Sequence, residues 1–216
     1  LTFGTAGLRG PLRAGPAGMN TAVVRRAAAG LARWLTARRP PGRGPATVVI
    51  GYDARRRSEA FALDSARVFA GAGLRALVLP RPTPTPVLAF AVRHLGTQAG
   101  AGAGAGAVGE VVAGVMVTAS HNPATDNGYK VYLGGPKGDP GRGAQLVSPA
   151  DTEIEQAIAA VGPARSIPLS DAWERLGEDV ITAYLTRAVD AVAAALGEDL
   201  APAAEAGPAG ADARAA

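Results

Sequence analysis

Apolar residues recur at helical spacing from Asn20 to about Arg38: Val23, Val24, Ala27, Leu31, Trp34 and Leu35 share one face, with Asn20 as N-cap. Pro40-Pro41-Gly42 ends that pattern, and Thr47 to Tyr52 follows as a nearly continuous apolar run, the mark of a strand covered on both faces. A helix with Ser58 as its cap then runs to Ala72-Gly73. A strand from Leu74 to Leu79, a stiff connection from Pro80 to Pro86 and a short helix from Val87 to Leu95 come next. Strand and helix in alternation predict a parallel sheet.

The second half repeats the theme with longer interruptions. Val111 to Val117 reads as a strand and Tyr129 to Leu133 as an alternating one. Between them Pro123 and Gly128 turn the chain, with Asp126 and Asn127 as turn residues. Ser148-Pro149 offers an N-cap and a first-turn proline for a helix to about Val161, whose face is Ile154, Ala157, Ile158 and Val161. Ile181, Tyr184, Leu185, Val189 and Val192 mark a further helix from about Glu178 to Leu196.

Gln98 to Gly109 alternates Ala and Gly and is expected to be a flexible insertion. Its Gly104-Ala105-Gly106-Ala107-Val108-Gly109 matches a dinucleotide fingerprint in letters only, because it opens a strand instead of a helix. The expectation is a three-layer α/β/α domain with a mixed, mostly parallel sheet over residues 1–176. The opening helix of a truncated second domain over 177–197 and a disordered tail over 198–216 complete it. Leu1 in place of a starting methionine, and the Ala/Gly-rich end, read as those of a fragment.

Composition narrows the chemistry. With no cysteine, disulfides, thiolate zinc and cysteine nucleophiles are excluded, and a reducing cytoplasm is the expected compartment. No apolar run approaches the roughly 18 residues of a membrane span. The net charge of +4 divides into +12 over residues 1–100 and −8 over 101–216. A basic first half suits an anionic partner, or reflects an arginine-rich coding bias, since 20 of the 22 basic residues are Arg. Nucleic acid is not expected, because no aromatic residues interleave with those arginines as stacking platforms.

The loop after Val117 carries the candidate chemistry: Thr118-Ala119-Ser120-His121-Asn122-Pro123, then Asp126-Asn127-Gly128-Tyr129-Lys130. Ser120 leaves a buried strand on a tight polar bend, which is how a nucleophile is presented, although turn and cap serines are common. Lys130 falls on the strand face opposite Tyr129 and Val131, either as a solvated strand lysine or as an acid/base group. Arg9 stands among glycines that allow close approach to an anion, and such arginines also cap carbonyls. His121 beside Ser120 raises a Ser/His hydrolase, but adjacent residues seldom face each other and the G-x-S-x-G elbow is missing. Asp53 and Arg55 read as a structural ion pair, and Lys137 as a surface-loop residue outside any P-loop pattern.

These residues resemble the α-D-phosphohexomutases, which move a phosphoryl group between two positions of a sugar phosphate. The resemblance also rests on Phe3-Gly4-Thr5-Ala6-Gly7-Leu8-Arg9-Gly10, Gly51-Tyr52-Asp53-Ala54-Arg55 and Gly143-Ala144-Gln145-Leu146-Val147-Ser148-Pro149. The spelling is most similar to the branch of phosphoglucomutases, phosphopentomutases and glucose-1,6-bisphosphate synthases. It implies Ser120 as phosphoryl carrier and, through that group, a Mg²⁺ ligand. It further implies Lys130 as general acid/base, Arg9 as phosphoryl-binding residue, His121 and Asn122 as loop-shaping or supporting donors, and a sugar 1,6-bisphosphate as intermediate. The implied partners are a phosphorylated hexose or pentose and the missing domains of the same polypeptide. The family's Asp-Gly-Asp-x-Asp-Arg metal loop, third-domain sugar loop and fourth-domain phosphate clamp are absent from this sequence. A sugar-bisphosphate synthase and a non-catalytic sugar-phosphate-binding module are the alternatives.

Overall fold

A computed structural model describes residues 1–40, 44–98, 109–136, 138–139 and 141–197. The elements in chain order are β1 (Leu8–Pro11), α1 (Thr21–Ala37), β2 (Thr47–Tyr52), α2 (Ser58–Gly71), β3 (Arg75–Val78) and α3 (Thr85–Gln98). After them come β4 (Val111–Val117), β5 (Asp126–Leu133), α4 (Ala150–Ala159), a 3-10 turn (Ala164–Ser166), β6 (Glu174–Arg175) and α5 (Asp179–Leu196). The chain divides into two compact units, Leu1–Glu178 and Asp179–Ala216. In the second, the described residues form α5, whose Leu185, Val189 and Val192 are exposed.

The first unit is a three-layer α/β/α sandwich around one six-stranded sheet, in the order β1-β5-β4-β2-β3-β6. β4, β2, β3 and β6 run parallel, while β5 is antiparallel to both β4 and β1. On one face Val48, Ile50, Val115, Val117 and Tyr129 pack against α1 and α2, whose Leu31, Phe61 and Phe69 are fully buried. Each such buried Leu or Phe contributes about 1.5–3 kcal/mol. Leu88 and Val92 of α3 cover the other face, where Gly51 and Gly114 leave them room.

α1 starts as its sequence predicts, with the Asn20 side chain accepting from the Val23 amide at 3.1 Å. α2 does not. Arg57, at φ +67°, holds its cap position, and the Ser58 hydroxyl is spent elsewhere, donating to Asp53 at 2.6 Å. Nor does Ser148 cap α4, where Pro149 takes that position with no side-chain cap bond. Instead Arg26 and Arg33 of α1 donate to the carbonyls of Ile158, Val161 and Ala160 at the far end of that helix.

Two strands lie where no strand is expected. β1 pairs with β5 because glycine leaves the space: a Cβ on Gly7, which holds φ +74°, would stand 1.9 Å from the Tyr129 carbonyl oxygen. β6 is two exposed residues held by charge, with Arg75 and Glu174 paired at 2.8 Å and Arg175 and Glu59 at 3.2 Å. Arg67–Asp171 and Arg81–Glu178 add to the same seam. Part of the charge division along the chain is therefore internal, since first-half arginines meet second-half carboxylates. Each exposed pair contributes about 0–1 kcal/mol. Residues 99–108, Lys137 and the tail from residue 198 lie outside the described residues, and with them the expected flexible insertion, the surface-loop lysine and the disordered tail.

Gly7→Ala is expected to destabilise the chain by about 3 kcal/mol, since it adds a steric clash to a disfavoured φ. Urea unfolding followed by circular dichroism checks the shift in midpoint.

Candidate active site

The carboxyl end of β4 runs into Thr118, and the backbone bends sharply at Ser120, which holds φ +58°. A β-carbon makes this left-handed region costly by roughly 1–2 kcal/mol, so the surroundings must enforce it. Arg55, just past the end of β2, does so. Its Nη2 donates to the carbonyls of Ser120 at 2.7 Å and Asn122 at 2.9 Å, and its Nη1 to those of Pro123 at 2.7 Å and Asp126 at 3.3 Å. The Nε lies 3.2 Å from the Asp53 carboxylate. Four of the five N–H donors of this guanidinium are thus hydrogen-bonded to the loop, and the fifth faces the Asp53 carboxylate as an ion pair.

Asp53 completes the frame. Its Oδ2 accepts from the Thr118 hydroxyl at 2.6 Å, and the same hydroxyl oxygen accepts from the Ser120 amide at 3.0 Å. Its Oδ1 accepts from the Arg55 amide and from the Ser58 hydroxyl. The expected Asp53–Arg55 ion pair exists, and its reach to a loop 65 residues away is what local reading missed. Asn127 belongs to β5 instead of a turn: fully buried, it donates to the Arg56 carbonyl and to Ser58, both at 3.0 Å.

On this frame the Ser120 residue is exposed, and its hydroxyl has no partner among the described residues. No Ser–His pair forms there. His121 is exposed, whereas Asn122 shapes the loop by donating to Asp126 at 3.0 Å and accepting from Arg9 at 3.5 Å.

Arg9 and Lys130 share a sheet face. Arg9 sits opposite Gly128 in the β1–β5 register, and Lys130 is two residues further along β5. Gly128 is what lets them converge, for a Cβ there would fall 2.5 Å from the Thr118 carbonyl oxygen and 3.1 Å from the Arg9 side chain. Lys130 is not a solvated strand lysine, being only 8% exposed. Burial pushes its ammonium below the ordinary lysine range, and the nearby Arg9 guanidinium pushes the same way. Neither cation has a carboxylate partner among the described residues, and the buried Arg9 Nε has no acceptor. Two cations are thus held beside each other with no counter-charge, which is costly unless an anion arrives.

The described residues bring no three His, Asp or Glu side chains together. Of the ligands that the resemblance implies for Mg²⁺, the described residues offer Ser120 alone, and they do not by themselves make a metal site.

Residues 1–164 match the family model described as phosphoglucomutase/phosphomannomutase, alpha/beta/alpha domain I. The chain belongs to that family. It is 45% identical over 172 residues to a Haemophilus influenzae protein named "Probable phosphomannomutase", covering 79% of this chain and 31% of the relative. A Mus musculus phosphopentomutase is 36% identical over 176 residues, 81% of this chain and 25% of the relative. The crystal structure of a phosphoglucomutase/phosphomannomutase family protein from Burkholderia thailandensis superposes with a TM-score of 0.63 at 25% identity, covering 88% of this chain and 35% of that one. The chain thus spans about a third or less of the length of these family members.

Arg55→Lys keeps the charge but loses the fork, so amide exchange across residues 118–123 is expected to accelerate at least about tenfold, with about 2 kcal/mol of stability lost. Hydrogen-exchange mass spectrometry and urea unfolding read the two effects. Lys130→Met is expected to stabilise the chain at neutral pH by about 1 kcal/mol, since it removes a buried, unpaired charge. With the lysine lowered in the fold, the unfolded chain binds more protons between the folded and ordinary values. The advantage of the methionine variant should therefore shrink as pH rises toward 10.5, the ordinary lysine value, as paired unfolding curves across pH would reveal.

Proposed function

We propose that the chain is the phosphoserine-bearing domain of a phosphosugar mutase, with Ser120 as the phosphoryl carrier. The observation that carries this reading is the pair of a half-buried Arg9 and a buried Lys130, with no carboxylate partner among the described residues, beside the loop that bears an exposed serine on a strained backbone. In the reaction, phospho-Ser120 donates its phosphoryl group to a hydroxyl of the bound sugar phosphate, giving a sugar bisphosphate. The serine then recovers a phosphoryl group from the other end of the sugar. Phosphoryl transfer asks mainly for positioning and charge neutralisation.

Arg9, always charged, neutralises phosphoryl oxygens and fixes their orientation. Lys130, whose charged form burial disfavours, is more often neutral than an ordinary lysine and so free to accept the proton of the attacking hydroxyl, which it returns in the reverse step. Asn122 holds Arg9 against the loop. Mg²⁺ would draw its remaining ligands from outside this chain. The relatives' names cover mannose, glucose and pentose phosphates, so the substrate class is a phosphorylated hexose or pentose. The exposed apolar residues of α5 suit coverage by the rest of a longer polypeptide, which supports the reading of residues 177–197 as the start of a second domain. The expected cytoplasmic setting agrees with the lack, among the described residues, of any helix long and apolar enough to cross a membrane.

In the complete polypeptide supplied with a sugar 1-phosphate and Mg²⁺, phosphate should appear on the Ser120 peptide, and Ser120→Ala should reduce turnover at least about a thousandfold. Phosphopeptide mass spectrometry and a coupled mutase assay read these. Full turnover in Ser120→Ala overturns the proposal. Release of free bisphosphate as the end product marks a synthase, and fluorophosphonate labelling of Ser120 marks a hydrolase.

A further inference from the structure

A second concentration of positive charge lies between the β1–α1 connection and the start of α2. There Arg13, Arg56 and Arg57 line a cavity of about 460 Å³, a volume within the usual range for small-molecule sites. Among the described residues no Asp or Glu contributes to its wall, and the first turn of α1, which forms one side, holds no acidic residue.

The three guanidiniums have no carboxylate partner among the described residues, unlike several arginines elsewhere in the fold. Arg25, Arg55, Arg67 and Arg175 are each paired with a carboxylate. By contrast Arg13 donates one bond to the Ala17 carbonyl and Arg57 one to the Thr21 hydroxyl, both at 3.2 Å. The Arg56 side chain has no polar partner among the described residues, and all three residues are exposed. Three guanidiniums without a carboxylate partner among the described residues thus line one solvent-accessible concavity, with Arg57 also resting over the Phe61 ring at 5.3 Å. Like charges brought together repel, and the cluster gains most from an anion that accepts several N–H bonds at once. A dianionic phosphoryl group fits that description better than a carboxylate, because its three oxygens can engage more than one guanidinium.

We propose that this cavity binds a phosphoryl anion at a site separate from Ser120. Its walls are tied to the serine loop from behind: the Leu12 amide donates to the Thr125 carbonyl at 3.0 Å, and the Arg56 carbonyl accepts from Asn127 at 3.0 Å. An anion held here therefore braces the outer side of the loop that carries Ser120. The proposal does not rest on Ser120 being a phosphoryl carrier.

The test is titration of the ¹⁵N-labelled 216-residue chain with inorganic phosphate and, separately, with glucose 6-phosphate, following arginine Nε–H signals by NMR at constant ionic strength. Saturable shifts of the Arg56 and Arg57 signals are expected, with affinity falling at least tenfold in Arg13→Gln/Arg56→Gln/Arg57→Gln and persisting in Arg9→Gln. Equal response to both probes identifies the phosphoryl group as the feature recognised, and tighter glucose 6-phosphate binding points to a phosphorylated metabolite as occupant. Should the triple variant lose its native circular dichroism, Arg56→Gln alone, which breaks no contact, is expected to weaken binding at least threefold. Shifts reproduced by chloride, or unchanged affinity in the arginine variants, would overturn the proposal.

Discussion

One guanidinium organises the functional end of this molecule. Arg55 stands past the end of β2, gives four hydrogen bonds to serine-loop carbonyls and pairs its Nε edge with Asp53. Only a planar fork can meet that many acceptors without further ordering cost. The Ser120 backbone, which no L-residue adopts cheaply, persists because its own carbonyl and those of Asn122, Pro123 and Asp126 are fixed. Asp53 carries the constraint through the Thr118 hydroxyl to the Ser120 amide itself. The serine is therefore placed by the sheet, and its exposed hydroxyl has no partner among the described residues.

The second determinant is what β1 brings. Without Gly7 and Gly128 the first strand could not lie against β5, and Arg9 would not reach the face that Lys130 occupies. The fold accepts the burial of an unpaired lysine beside an arginine, which works against stability. Such an expense is expected where an anion completes the charge balance in function. Along β6, by contrast, the cations are paired with carboxylates.

What was legible in the sequence follows from locality. The periodicity of α1, the Asn20 cap and the apolar runs of β2 and β4 are local signals, and each element lies where they point. β1 carries no such signal in Leu8-Arg9-Gly10-Pro11, because its pairing depends on a partner strand more than a hundred positions away. β6 is invisible for a similar reason, two charged residues stitched down by distant partners. Asn127 read as a turn because its type favours turns, yet it is a buried strand residue satisfied by Ser58 and the Arg56 carbonyl. The candidate site residues Ser120, Lys130 and Arg9 came from family resemblance. Arg55 was seen only as half of an ion pair, since its loop contacts are long-range.

Membership in the phosphoglucomutase/phosphomannomutase family and the charge arrangement around Ser120 converge on one claim: Arg9 and Lys130 await a phosphoryl group on that serine. Incorporating phosphoserine at position 120 and following the Lys130 ammonium by ¹³C-detected NMR titration tests it most directly. The account predicts that phosphorylation raises the Lys130 pKa and increases thermal stability, because the new anion offsets both cations. An unchanged titration with unchanged stability would contradict it.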